Sequence, residues 1–295
     1  MSLENSSNGA QEASTKLGSA ELYEAAVDNS APISNPFLEV FSKAFAPCMG
    51  DDPKQQQFIE IGCGPGRFTL NSLFPTLPPF RRLVAVDKSE EMLSLAADKY
   101  GHPKIQYQQL DIVGNVDEFI RREGQFQRLY SFHMLHWIRD QQLVMRNFEK
   151  MMAPGGECLV VFLKNMPFHR LFEEMMKSPR WSQYSQVLQK HMPETWKMQD
   201  IASLRAYANK LVVTSKLLPL SCEAFTVPAP GMKSKERALE MLFLFNPIYS
   251  IIDDQGKKEL LQFTRDFANT AFIKKSGISF GDPVVCVIHA FKPTE

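Results

Sequence analysis

No surplus of either charge marks this chain: 33 Lys and Arg stand against 33 Asp and Glu in 295 residues, a formal net charge of zero. A dedicated nucleic-acid binder carries a basic excess somewhere, so that class is set aside and a small-molecule partner is expected. Cysteine is sparse and odd in number. Cys48, Cys63, Cys158, Cys222 and Cys286 are scattered, none forms a C-x-x-C, and no histidine lies at a ligand spacing from any of them. That pattern argues against zinc, and no metal is expected. Three of the five fall in apolar runs, where cysteine acts as a small hydrophobe. The expectation is a reducing, cytoplasmic compartment. No apolar run reaches the roughly 18 residues of a membrane span. The opening MSLENSSNGAQEASTKLGSA is polar and has no apolar core of a signal peptide, so residues 1–20 are expected to be a disordered tail. No internal repeat is present.

What is present is apolar bulk, 44% of the residues with 11% aromatic, ample for a real core. Between Glu21 and Phe45 two helical pieces are expected, broken at Pro32 and Pro36. Short apolar runs then alternate with helical patterns. Candidate strands are 56–62, 82–87, 105–111, a stretch within 126–135, 155–164, one within 211–228, and PVVCVIHAFKP at 283–293. A helix is expected over 66–74. Another follows Ser89, a plausible N-cap, with Met92, Leu95, Ala96 and Tyr100 on one face. RDQQLVMRNFEKMMAPGG reads as an amphipathic helix ended by proline and glycines. Residues 165–210 and 234–275 read as mainly helical. Strict alternation means βαβ units and a mostly parallel sheet, with ligands beyond the carboxyl ends of the strands. One domain is expected over 21–295, with a helical cap inserted at about 165–210.

The chemistry concentrates in FIEIGCGPGRFTL, residues 58–70. A strand runs into glycines at Gly62, Gly64 and Gly66. The dinucleotide fingerprint would need its third glycine where Arg67 stands, and a phosphate-binding loop would need Lys followed by Ser or Thr there. Acidic Glu60, just before the turn, suits a phosphate poorly. It suits S-adenosylmethionine (SAM), which is cationic and has no phosphate. The second strand ends in Asp87, about 20 residues beyond the last glycine, where a carboxylate can accept both ribose hydroxyls. The third ends in Asp111, in position to meet an adenine amino group. One strand-end aspartate is more often a turn residue or helix cap; three coincident features point to SAM, with S-adenosylhomocysteine as product.

These residues resemble a known family. EIGCGPG, VDKSEEM, LDI and PGGECLVVFL are similar to the motif series of class I SAM-dependent methyltransferases. YSFHMLHWIRDQQLVMRNF (130–148) resembles the insect juvenile hormone acid O-methyltransferases, with echoes at AELY (20–23) and FNP (245–247). The resemblance implies an α/β Rossmann-like class I methyltransferase fold, a seven-stranded mostly parallel sheet with helices on both faces. It implies Gly62, Gly64 and Gly66 against the methionine part of SAM. Asp87, with Lys88 beside it, would hold the ribose, and Asp111 and Ile112 would flank the adenine. The segment after strand four would face the methyl group, with Trp137 on the substrate side. Family members methylate the carboxylate of a long isoprenoid acid. A glutamine they carry shortly after the L-Y motif has no match here, where Ser30 stands near that spot.

A carboxylate acceptor is ionised at neutral pH and needs no base. His133, His136 or Trp137 would then position it by hydrogen bonding. A phenol or alcohol acceptor would need a base, for which His133 or His136 is the candidate. Met- and aromatic-rich 166–192 is expected to cap an apolar acceptor pocket, with Phe243, Phe245, Ile248 and Tyr249 enclosing it. The two other readings kept are a macromolecular acceptor and a non-catalytic SAM-binding interaction protein. As a small-molecule enzyme, the chain is expected to act as a monomer or homodimer.

Overall fold

The structure, a computed structural model, describes residues 20, 23–24, 31–46, 52–228, 235–274, 277–278 and 281–294. The expected tail, apart from Ala20, and also Ser30 and Cys48 lie outside the described residues.

Strands β1 (Gln57–Ile61), β2 (Arg82–Asp87), β3 (Ile105–Gln109), β4 (Phe126–Phe132), β5 (Met152–Leu163) and β6 (Leu218–Thr226) follow one another along the chain. A two-stranded ribbon comes next, β7 (Ile273–Lys274) with β8 (Gly277–Ile278), and β9 (Val284–Phe291) closes the series. Seven of them form one sheet in the order β3-β2-β1-β4-β5-β9-β6. All its neighbours are parallel except β9, which runs antiparallel to both β5 and β6. The order reverses between β1 and β4. In a doubly wound sheet a crevice opens there, beyond the carboxyl ends of those strands.

The period of two explains the layering. Ile59, Val84, Val86, Val160 and Phe162 face one apolar core, and Phe58, Leu83, Ala85, Leu159 and Val161 face the other. Because both faces are covered, these strands read as continuous apolar runs. The first face is covered by α3 (Asp117–Glu123), α4 (Gln141–Met151) and α7 (Ile201–Thr214), through Phe119, Val144, Phe148, Leu204 and Leu211. The second is covered by α1 (Ala31–Ser42) and α2 (Glu90–Tyr100), through Leu38 and Leu93. A third core, around Phe168, Phe172, Trp181, Leu188, Phe243, Ile248 and Leu260, belongs to α5 (Pro167–Lys177), α6 (Ser185–Lys190), α8 (Lys235–Leu244) and α9 (Asp254–Ala271). The helical cap is therefore drawn from two separated stretches. Helix α7 lies between them in sequence but packs on the sheet, because Leu204, Ala208, Leu211 and Val212 form an apolar stripe that matches the strand surface.

Four local expectations change. Helix α1 runs unbroken through Pro36, with Pro32 in the first turn, where a missing N–H costs little. The segment after the glycines is a π-helical turn over Thr69–Leu73 followed by a 3-10 turn over Phe74–Thr76. In α2 the buried residues are Leu93, Leu95 and Ala96, while Ser89 caps the helix by accepting from the Met92 N–H. Such a cap is worth about 1 kcal/mol. Helix α4 stops at Met151, and Pro154, Gly155 and Gly156 fall inside β5 instead of ending the helix.

Candidate functional site

The crevice is built from the glycine turn outward. After Ile61 the chain turns back on β2: the N–H groups of Gly62 and Cys63 both donate to the Val86 carbonyl, at 2.8 and 3.0 Å. Gly62 has φ +78°, and a Cβ there would lie 2.4 Å from Cγ of Met134. Gly66 has φ +82° and meets Ala96 in the same way, with a Cβ–Cβ distance of 2.7 Å, so its smallness lets the turn settle onto α2. Gly64 differs. Nothing lies within 3.9 Å of its would-be Cβ, and its bare backbone borders open space.

That space is a cavity of about 380 Å³. On its floor are Gly62, Gly64, Asp87, Lys88, Asp111 and Ile112, the ends of β1, β2 and β3. Asp87 accepts from the Gly64 N–H through Oδ2 and from the Ser89 N–H through Oδ1, both at 3.0 Å, which ties the glycine turn to the start of α2. Asp111 accepts from the Val113 N–H at 3.2 Å, and the Ile112 carbonyl accepts from Nδ2 of buried Asn147 at 2.7 Å. The opposite wall is His133, Trp137 and Ile138 after β4, with His191, Phe245 and Pro247 from the cap. A second cavity of about 160 Å³ adjoins it, sharing Tyr23, Gly62, Gly64 and His133, and includes Glu60 and Arg67. Only 2% of Glu60 is exposed, and burial pushes its carboxyl up to about 7; the charge of Asp87 adds to this while the Thr69 hydroxyl pulls the other way. Its Oε2 has no hydrogen-bond partner among the described residues. A buried carboxylate oxygen left in this state suits a cationic or N–H-bearing ligand.

The three residues after β4 part ways. His133 lines both cavities, has the left-handed φ of +54°, and places Nε2 2.5 Å from Oγ of Ser34. A non-glycine residue in that conformation costs about 1–3 kcal/mol and persists only where the surroundings hold it. His136 lines neither cavity. It is buried behind the loop, with Nδ1 3.4 Å from the Leu163 N–H, and burial, then the nearby His133 and His169, hold it far below the usual imidazole range, so it is neutral. Trp137 lines the cavity and stacks on Phe168 of α5, ring centroids 4.6 Å apart and planes at 18°. Its edge meets Phe245 at 5.0 Å.

Of the residues expected to surround the site, Gly66 and His136 lie outside both cavities. So do Phe243, Ile248 and Tyr249, which pack into the cap's own core; Phe245 alone of that group reaches the cavity. Tyr23, from the AELY stretch, and His191, from the segment expected to cap the pocket, line the cavity although the sequence does not single them out as site residues. Ser34 comes against the site from a segment whose local sequence carries no signal for it. Tyr23 packs edge-on against Phe245 at 5.4 Å. Burial pushes its phenol upward, with the charge of Asp87 adding, so it remains a hydrogen-bond donor.

A family match falls on this region. Residues 59–160 match the family described as Methyltransferase domain. The span runs from within β1 to most of β5 and carries the whole cavity floor. Over 124 residues the chain is 32% identical to the juvenile hormone acid O-methyltransferase of Bombyx mori, covering 42% of this chain and 44% of that protein. Over 135 residues it is 27% identical to the enzyme of the same name from Drosophila melanogaster, covering 45% of each. The chain thus matches less than half the length of these relatives. Among solved structures the YcgJ protein of Bacillus subtilis superimposes with a TM-score of 0.52 at 13% identity, covering 87% of this chain and 97% of that one. The fold is the α/β Rossmann-like class I methyltransferase fold. Among the described residues no helix is long and apolar enough to cross a membrane, and no group of three or more His, Cys, Asp or Glu is placed to hold a metal.

Proposed function

We propose that this protein transfers a methyl group from SAM to the carboxylate of an apolar small-molecule acid, giving a methyl ester. The observation that carries the reading is a single cavity joining strand-end carboxylates to an aromatic wall. Two features of the adjoining cavities support SAM: the bare backbone at Gly64 leaves room for close approach, and buried Glu60, in the smaller cavity, has an oxygen to offer an ammonium group. Asp87 would hold the ribose hydroxyls, with Lys88 alongside, and Asp111 and Ile112 would take the adenine. Gly62 and Gly64 would border the methionine part, while Gly66 supports the turn from behind. When bound, SAM supplies an electrophilic methyl carbon on a sulfonium.

The rest is done by this chain. The acceptor acid is already ionised, so no residue has to remove a proton. Trp137, Ile138, Phe245 and Pro247 would enclose its apolar body and exclude water. His133 and Tyr23, shared by both cavities, would orient the carboxylate. Orientation of this kind contributes roughly 7–11 kcal/mol in well-aligned reactions. The printed names of the Bombyx and Drosophila relatives support an acid acceptor.

The test is an assay with methyl-labelled SAM against farnesoic, juvenile hormone, fatty and aromatic acids and phenols. Label in a base-labile ester of an apolar acid is expected. Label in a base-stable ether would move the acceptor to a hydroxyl and give His133 the role of base. No label, with SAM binding intact by calorimetry, would overturn the reading in favour of a macromolecular acceptor or a binding role.

A further inference from the structure

Ser34 is a hydroxyl with no solvent exposure, on a helix that borders the site without belonging to the sequence motifs that build its floor. Its Oγ lies 2.5 Å from Nε2 of His133, across 99 residues of chain. Neither partner is free to drift. Four residues beyond the end of α1, the Ala46 N–H donates to Oε1 of Glu157 at 2.8 Å and the Ala46 carbonyl accepts from Arg128 at 3.2 Å. Oε2 of the same Glu157 lies 2.6 Å from His289, whose ring packs 4.8 Å from Phe45. Leu38, midway along the helix, is buried in the second core. The helix is therefore held at its middle and by the chain just beyond its end, and it carries Ser34 on its first turn. On the other side, the His133 N–H donates to the Val161 carbonyl at 2.8 Å, and its left-handed backbone aims the ring away from the strand direction.

One proton serves a contact this short. Either the hydroxyl donates to Nε2, which leaves the ring hydrogen on Nδ1, or Nε2–H donates to the hydroxyl; in both cases the ring's tautomer is coupled to the serine. We propose that Ser34 is a positioning residue that fixes the ring orientation and tautomer of His133 at the junction of the two cavities. Its value to catalysis rests on the methyl-transfer reading, in which that ring orients the acceptor. The positioning itself does not.

The test uses the full chain with Ser34→Ala and Ser34→Thr. The readouts are the imidazole nitrogen resonances of His133, assigned by their loss in His133→Phe, together with kcat and KM for the acid and SAM affinity by calorimetry. In Ser34→Ala both nitrogen shifts are expected to move and kcat to fall roughly tenfold or more, with SAM affinity little changed. Ser34→Thr, which keeps the hydroxyl, is expected to restore both. If Ser34→Ala does not fold, Ser34→Cys, similar in shape and a weaker hydrogen-bond partner, carries the comparison. Unmoved His133 resonances in a folded variant overturn the proposal, whether turnover is retained or is lost through weaker SAM binding. Moved resonances in a protein that methylates no acid uphold the positioning and refute the methyl-transfer reading.

Discussion

Two walls meet at the cavity, and different physics holds each. The floor comes from strand ends of one parallel sheet, where register sets the distance between Gly64, Asp87 and Asp111 and backbone hydrogen bonds lock the turns. The roof comes from side chains: Trp137 on Phe168, Phe245 on Trp137, Tyr23 on Phe245. A floor made this way resists change in detail and suits a ligand that is always the same. A roof of stacked rings can be re-lined without disturbing the sheet, and suits a partner whose identity varies among related proteins.

Substitutions can break or sharpen this contrast. The largest effect is expected from Gly66→Val, which would drive a branched side chain into Ala96 at a left-handed φ. A loss of about 3 kcal/mol or more by chemical denaturation is expected, with SAM binding lost as the floor distorts. Trp137→Ala should cost about 3 kcal/mol through the lost stack, while raising KM for the acid and leaving SAM affinity nearly intact. Equal damage to both ligands would dissolve the distinction between the walls.

Glu60 gives the floor a pH signature. Its carboxyl sits at about 7 instead of the ordinary 4.5, so the folded protein keeps a proton that the unfolded chain has released. Stability of the free protein should therefore decline as pH rises between those two values, by roughly 3 kcal/mol in total. Glu60→Gln should flatten that slope in denaturation midpoints measured across the range. SAM should bind the native protein more tightly as pH climbs through the same window, and this too should vanish in the variant. The smallest effects come from two helix caps. Ser89→Ala on the floor and Asp253→Ala in the cap, where Asp253 accepts from the Gly256 N–H at 2.7 Å, should each cost about 1 kcal/mol. The two losses should add when combined, as independent sites do.

The same division governs what could be read from sequence. The floor was legible because its parts are local: each lies at the end of an apolar run, and three glycines mark one turn. The sheet was legible for the same reason. The roof was legible only in part. Trp137, Phe245, the AELY stretch and the capping segment up to 192 were marked, but nothing in the sequence around Ser34 marks it, and which side chains of the cap reach the cavity depends on packing of distant segments. His133 and His136 are both candidates in the sequence, three positions apart in one loop. A single left-handed residue separates them, turning His133 toward the cavities and leaving His136 behind, neutral and buried. Helix α7 is as helical as its neighbours, and only the match of its apolar stripe to the sheet sets it apart from them.

Strand β9 has a bearing on how the molecule is made. It lies between β5 and β6, although both precede it in the chain. On the ribosome the glycine turn and its aspartates emerge early, yet β6 has no strand to pair with until residues 284–291 arrive. The roof likewise waits for Phe245 and for the helix that ends at Ala271. A nascent chain would thus present a finished cavity floor on an unfinished sheet, and the sheet is completed from its interior by the last of these seven strands to emerge.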